Sequence, residues 1–374
     1  MTVGGKPFFT VNAVDPGGVA RQGCLHTAHG TIETPCFMPV GTRASVKAVS
    51  PAELTDMGIG MILANTYHCL TRPGVEIIAA AGGLHRFMGW PGAILTDSGG
   101  YQVFSLAKLR RIDSTGVVFQ SHVDGSRIQL GPREAMAAQR QLGSDIAMAF
   151  DECPPWPCSA ENACEAVDHT LLWAVECIEQ PRADGQHVFG IVQGGSYQDL
   201  RERCARELTA MEFDGYAIGG VSVGEPADRL LEQVRHGARL LPVDRPRYLM
   251  GVGDRRQILE AVAQGIDMFD CVMPTRLARN GTAFTEDGRY PVKAGEYKAD
   301  SRPIEEGCAC YACRHFSRAY VRHLLNVGEI LGVRLVTLHN LYRYMRFMAQ
   351  MRDALRQGRF HEYRREYLAR VKEI

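Results

Sequence analysis

The sequence predicts an α/β protein: a (β/α)8 barrel of the TIM type with an N-terminal antiparallel β-sheet and a C-terminal subdomain built around a cysteine cluster. Three observations lead there. Eight short apolar runs alternate with longer amphipathic stretches, the pattern of strands feeding helices around a parallel sheet. Polar residues and glycine pairs gather where those runs end, the position barrel enzymes use for their sites. Three cysteines crowd into the six residues from Cys308 to Cys313.

Residues 1–35 read as short strands and turns, punctuated by Gly17-Gly18, Gly23 and Gly30. The eight runs that follow are Cys36–Val40, Met61–Ala64, Ala93–Leu95, Asp145–Phe150, His187–Val192, Gly215–Ile218, Tyr248–Gly251 and Met268–Val272. Helical periodicity fills the intervals, as in Pro132–Leu142, Ala160–Glu179 and Tyr197–Met211. A doubly wound open sheet is the rival topology, but no Gly-rich phosphate fingerprint follows the first run. Gly251-Val252-Gly253, after the seventh, is too short to mark a dinucleotide site. The barrel is expected over 36–290, the cysteine-bearing subdomain over 291–345 and a last helix over 346–374.

The cysteine segment, with His339 further on, has the composition of a closed zinc site. Cys308, Cys310, Cys313 and His339 offer the four soft or borderline donors a Zn²⁺ tetrahedron needs. Ordinary reduced cysteines on a loop are the plainer reading, though three in one short solvated segment rarely occur without a metal. Four protein ligands leave no open position for water, so such a zinc holds structure and the chemistry lies elsewhere.

The chain has 374 residues, enough for a large barrel and an appendage, and 12 Cys. The other nine cysteines are scattered without a framework spacing, which fits a reducing cytoplasm. The start, Met1-Thr2-Val3-Gly4-Gly5-Lys6, has no apolar signal core. No apolar run approaches the ~20 residues of a membrane span, so a cytoplasmic protein with no membrane partner is expected. The net charge of zero hides an asymmetry. Residues 276–374 carry 19 Lys and Arg against 11 Asp and Glu, leaving 23 against 31 in residues 1–275. A basic C-terminal part is suited to a polyanion and an acidic remainder to a carboxylate-rich pocket. Solvated helix faces are the plainer account of the basic excess, as between Arg352 and Lys372.

Polar residues mark six run ends: Asp97-Ser98-Gly99-Gly100-Tyr101-Gln102, Asp151-Glu152-Cys153, Gln193-Gly194-Gly195, Gly219-Gly220, Met250-Gly251-Val252-Gly253 and Asp270. Glycine pairs leave backbone amides and carbonyls open to a close ligand. Asp97 and Asp270 are placed to divide nucleophilic and proton-transfer work, and the residues alone do not say which does which. Asp151 and Gln193 supply the acceptor and donor groups that read a heterocycle's edge. A lone Asp is more often a cap or turn residue, but six such loops from successive strands are harder to dismiss.

Four segments, with the zinc motif, resemble the queuine/queuosine tRNA-guanine transglycosylases. They are Asp97–Ser105, Gly190–Gly195, Gly219–Glu225 and Asp267–Arg276. The resemblance runs from about Phe9 to the last helix. It implies exchange of the guanine at the wobble position (34) of a tRNA anticodon for a 7-deazaguanine, with no energy-supplying cofactor. It makes Asp270 the nucleophile that attacks the ribose C1′ and Asp97 the proton-transfer group. It places Ser98, Gly99, Gly100, Tyr101, Asp151, Cys153, Gln193, Gly220, Val221 and Met250 around the base. Gly251, Val252, Gly253, Asp254, Arg255, Arg256 and Gln257 are expected to touch RNA. Thr275, Arg276, Leu277, Ala278 and Arg279 are expected beside the wobble base.

The resemblance also implies a homodimer, with Phe316, Tyr320 and His323 near its interface. Val223 and Cys153 match the bacterial pattern, which takes the small aminomethyl base preQ1. The end of the chain at the last helix, without the extra RNA-binding domain of archaeal relatives, points the same way. Val221-Ser222 and Phe316 depart from the common bacterial Leu-Ala and Trp. Two rival functions remain: a non-catalytic tRNA-binding subunit, disfavoured by the two aspartates, and a zinc hydrolase, disfavoured by the filled metal set.

Overall fold

Eight parallel strands close a barrel: β1 (Cys36–Gly41), β2 (Met61–Ala64), β3 (Ala93–Thr96), β4 (Ile146–Met148), β5 (His187–Val192), β6 (Gly215–Ile218), β7 (Arg247–Leu249) and β8 (Met268–Cys271). Closure is made by β8 against β1, with Met268 opposite Cys36 and Asp270 opposite Met38. The computed structural model describes residues 2–3, 6–106, 110–121 and 125–371. Residues 1, 4 and 5 of the expected N-terminal strands and 372–374 of the expected last helix lie outside the described residues.

Successive strand residues point to opposite faces, so each strand supplies both the barrel interior and the contact with its helices. The inner set includes Met38, Leu63, Leu95, Met148, Ile191 and Tyr248. Phe8, Phe9, Leu25 and Ile32 join that cluster from the N-terminal segment and its three-stranded antiparallel sheet, Phe9–Val14, Arg21–Thr27 and Gly30–Thr34. They meet Cys36, Met61, Ala93 and Met268, which are first residues of their strands. The sheet therefore plugs the end where the strands begin. Arg21 fastens it with two hydrogen bonds, at 3.0 and 2.6 Å, to Asp267 just before β8. The opposite end, where strands run out into loops, stays open.

The outer helices follow the apolar periodicity. Helix Ala160–Glu179 buries Ala163, Ala166, Val167, Thr170, Leu171 and Ala174, a stripe at helical spacing. Helix Pro132–Leu142 also has its expected bounds, and Gln198–Thr209 is shorter than its pattern. Five strand ends differ from expectation, three of them (β1, β3 and β8) by a single residue. β4 stops at Met148, and β7 stops at Leu249, leaving Phe150, Met250 and Gly251 in loops that can bend over the mouth.

An antiparallel sheet unforeseen in the sequence, Arg110–Asp113, Gly116–Gln120 and Arg127–Leu130, sits between β3 and β4. The C-terminal boundaries also need correction. Helix Ile330–Arg356 runs unbroken through the cut expected at 345/346. It is continuous because it serves three cores: Leu335 and Val336 pack in the subdomain, Leu338 and Leu341 beside β2 and β3, Tyr344, Phe347 and Met351 on the main barrel core. The cut at 290 divides the hairpin Thr282–Thr285/Gly288–Pro291, whose Ala283 packs with Ala312 of the subdomain. Gly358, at φ +64°, turns the chain into a separate helix, Phe360–Arg370. Among the described residues no helix is long and apolar enough to cross a membrane.

Candidate active site

The strand ends at the open mouth surround a cavity of about 750 Å³. Asp270 stands in β8, and both of its protein hydrogen bonds among the described residues fall on one oxygen. Tyr248 Oη donates to Oδ1 at 2.6 Å and the Gly251 amide donates at 2.8 Å. Gly251 has φ +72°, a left-handed conformation that suits glycine. Oδ2 is left without a protein partner among the described residues. Burial pushes the Asp270 carboxyl upward, and these two hydrogen bonds hold it back.

Asp97 follows β3 and is also buried. Its Oδ1 accepts the Thr66 amide at 2.8 Å, and its Oδ2 accepts from Gln102 Nε2 at 2.9 Å and from Asn65 Nδ2. Burial nevertheless pushes its carboxyl up to about 6, and the neighbouring charge of Asp270 adds to the rise. A carboxyl titrating there is poised to gain and lose a proton near neutrality. Environment thus separates two acids: one oriented through a single oxygen, one tuned to exchange protons.

The wall opposite is polar and preorganised. Gln193 Nε2 donates to Asp151 Oδ2 at 2.7 Å, and Ser98 Oγ donates to Oδ1 at 3.3 Å. Burial lifts Asp151 to about 6 as well. Gln193 Oε1 is buried and without a partner among the described residues, an acceptor free for a further N–H. Any side chain at Gly219 or Gly220 would collide with Gln193, a Cβ coming within 2.6 Å of its amide. Burial pushes the Cys153 thiol up to about 12, so it lines the cavity as a neutral group. Val221 and Met250 line the cavity beside it, and Tyr101, 51% exposed, stands at its rim. Gly99, at φ +83°, turns the chain into helix Gly100–Leu106, whose start carries Tyr101.

The expected RNA-contacting residues divide. Gly251, Gly253, Gln257, Arg276 and Leu277 border the cavity. Val252, Arg255, Thr275 and Ala278 are buried. Arg255 donates to the Gly288 carbonyl at 3.0 Å and lies over the Phe284 ring, so it braces the hairpin. Asp254 caps helix Arg255–Val262 through the amides of Arg256 and Gln257. Arg256 donates to the Val371 carbonyl at 2.6 Å, and Arg279 donates to Thr275 Oγ1 at 3.2 Å.

Sequence reasoning missed several contributors. Tyr248 read as part of an apolar run, and Asn65 stood in no motif. Arg201, fully buried, donates to the carbonyls of Gly195, Gly219 and Gly220 at 2.7, 3.1 and 3.2 Å and so ties two site loops together. Its place in the buried stripe with Cys204, Ala205 and Leu208 was the available signal. Arg43 and Lys47, in the loop after β1, form a cationic cluster with Arg279: burial, then the charges of Arg279 and Arg43, lowers the Lys47 ammonium.

Cys308, Cys310, Cys313 and His339 converge away from the mouth, with His339 Nδ1 at 3.7, 3.4 and 3.3 Å from the three sulfurs. His339 Nε2 donates to the Phe284 carbonyl at 2.6 Å, which leaves the Nδ1 lone pair for a metal. The four residues fit a closed metal site.

Two buried carboxylates in different surroundings, facing a polar wall at the mouth of a parallel barrel, are the layout of a group-transfer enzyme. The family model for queuine tRNA-ribosyltransferase matches residues 15–373. The Pelotomaculum thermopropionicum queuine tRNA-ribosyltransferase is 56% identical over 360 residues, covering 96% of this chain and 97% of that protein. The Bacillus licheniformis one is 52% identical over 352 residues, covering 94% and 92%. The chain belongs to the queuine tRNA-ribosyltransferase family.

Proposed function

We propose that the protein exchanges guanine 34 in the anticodon of tRNA for the 7-deazaguanine preQ1, in queuosine biosynthesis, through a covalent bond between Asp270 and the ribose. The observation that carries this is the Asp270 carboxylate, held through one oxygen by Tyr248 and Gly251, in a cavity it shares with Asp97 and the Asp151–Gln193 wall. The target base must leave its stack to reach such a mouth, and an anticodon loop allows that.

Asp270 attacks C1′ as the C1′–N9 bond breaks, forming a C1′–O bond and an RNA–enzyme ester, while the departing guanine takes its proton from Asp97, which is left as the carboxylate. Positive charge developing at the sugar is stabilised by the same carboxylate. The incoming base gives its N9 proton to Asp97, attacks C1′ and releases the Asp270 carboxylate. Asp151, Gln193 and Ser98 hold the edge of either base, and Tyr101 and Met250 cover its faces, where stacking is worth ~1–3 kcal/mol. Cys153 and Val223 border the cavity and support the small aminomethyl substituent of preQ1. The tRNA phosphates are met by Arg276 and the Arg43–Lys47–Arg279 cluster.

One structural Zn²⁺ occupies the Cys3His set, because thiolate-rich tetrahedral donors select it. The protein acts as a homodimer. Tyr320 stacks on Phe316 at 5.5 Å, and Tyr311, Val327 and Ile330 are exposed on the same subdomain, an apolar surface that a second copy covers. A non-catalytic tRNA-binding subunit has no need for Asp270 and Asp97 to be held as they are. The test is incubation with an anticodon hairpin and labelled guanine: label entering the RNA supports the reading, and none entering at any protein concentration overturns it.

A further inference from the structure

We propose that His29, His85 and Asp145 form a second metal site, for a divalent transition-metal ion of zinc or cobalt type, at the closed end of the barrel. The three come from separate parts of the fold. His29 lies in the turn joining Arg21–Thr27 to Gly30–Thr34, His85 on helix Gly83–Met88, and Asp145 just before β4. Their donor atoms all lie within 4.8 Å of one another. His29 Nδ1 is 2.8 Å from Asp145 Oδ1, and His85 Nε2 is 3.1 Å from Oδ2. Donors about 3 Å apart are what an ion bound at roughly 2.0–2.2 Å to each requires. The Cys3His set has comparable spacing, 3.3 to 3.7 Å.

The donor chemistry selects the ion. Two imidazoles and one carboxylate suit zinc, cobalt or nickel and disfavour magnesium and calcium, which want oxygen. A ligand carboxylate must be ionised. The Ile94 amide donates to Asp145 Oδ2 at 2.8 Å, a contact that holds the buried carboxylate in place with or without the ion. The His29 side chain is 37% exposed, which gives an ion a way in and leaves room for water to complete the shell. The competing arrangement is metal-free: the rings stack with centroids 3.5 Å apart, and each gives an N–H to the carboxylate. In the proposed site the ion takes the place of those two hydrogen bonds, and each ring carries its N–H on its other nitrogen. It then clasps the N-terminal sheet to β4 and helix Gly83–Met88, far from the mouth.

The experiment is equilibration of the full-length protein with Co²⁺, followed by gel filtration and elemental analysis, on native protein and on His29→Ala and His85→Ala. The native protein is expected to hold one more equivalent than either variant. That equivalent should absorb in the visible without thiolate-to-cobalt charge transfer, and added Co²⁺ should raise Tm in native protein only. Equal metal content in native protein and His29→Ala overturns the proposal. So does an extra equivalent that shows thiolate charge transfer. His29 is on an exposed turn, so this variant keeps the test decisive if His85→Ala does not fold.

Discussion

Tyr248 Oη and Asp270 Oδ1 are 2.6 Å apart inside the barrel mouth. Burial drives the Tyr248 hydroxyl well above its usual range, with the Asp270 charge adding to it, so the phenol stays protonated and acts as a fixed donor. The bond orients one carboxylate oxygen, and in the proposed mechanism the other attacks the ribose.

Removing that donor should be costly in rate. A hydrogen bond to a charged group is worth about 1.5–3 kcal/mol, so Tyr248→Phe should lower kcat roughly 10- to 100-fold. The Asp270 carboxyl, already raised by burial, rises further when a hydrogen bond that lowers it is lost. Since the nucleophile must be ionised, the acid limb of the pH–rate profile should move to higher pH. A variant with the native profile and native kcat contradicts the assigned role.

Asp97 should weaken the fold at the pH where it works. Its folded carboxyl titrates at about 6 against an ordinary 3.8. A raised acid favours the folded state below the unfolded value, and that contribution is lost as pH rises through about 6. The stability of Asp97→Asn relative to native protein should therefore improve by about 2–3 kcal/mol between pH 4 and pH 8. Denaturant titrations at the two pH values measure it; a pH-independent difference sinks the idea.

Two nearby arginines should behave oppositely. Arg255 is buried over Phe284, whereas Arg276 is exposed beside the cavity. Arg255→Ala should lower Tm. Arg276→Ala should leave Tm unchanged, raise KM for tRNA several-fold and shrink the salt dependence of binding by about one phosphate contact. Equal effects on Tm would remove the distinction.

Metal removal should be felt locally first. The Cys3His set is tied to the hairpin by the His339–Phe284 bond, and its binding energy acts on the segment it folds. After chelation or Cys310→Ala, hydrogen exchange should rise around residues 300–340 before it rises in β1–β8. Elemental analysis finding no stoichiometric zinc in native protein contradicts the metal's identity.

The barrel was legible because alternation of apolar runs and helical periodicity is local information, and all eight runs became strands. The sheet between β3 and β4 was not, since its outer strands, Arg110–Asp113 and Arg127–Leu130, are largely polar. Only the alternation in Val117-Val118-Phe119, with Val117 and Phe119 buried, marks a half-covered strand. The acids at the mouth stood out against glycine-rich turns, but their supports did not. Tyr248 looks like any inward strand aromatic until Asp270, 22 residues on, is seen beside it. Arg255 and Arg276 are equally basic in sequence; only packing separates a buried brace from an exposed side chain beside the cavity. The helix Ile330–Arg356 defeated a boundary because three cores share it, which blurs a single apolar stripe.

The covalent role of Asp270 is tested most directly by trapping the RNA adduct on denaturing gels with an anticodon hairpin and three proteins. Native protein should form a denaturation-resistant adduct, Asp270→Asn none, and Asp97→Asn some adduct with impaired turnover. An adduct that persists in Asp270→Asn and disappears in Asp97→Asn contradicts the account and exchanges the two roles.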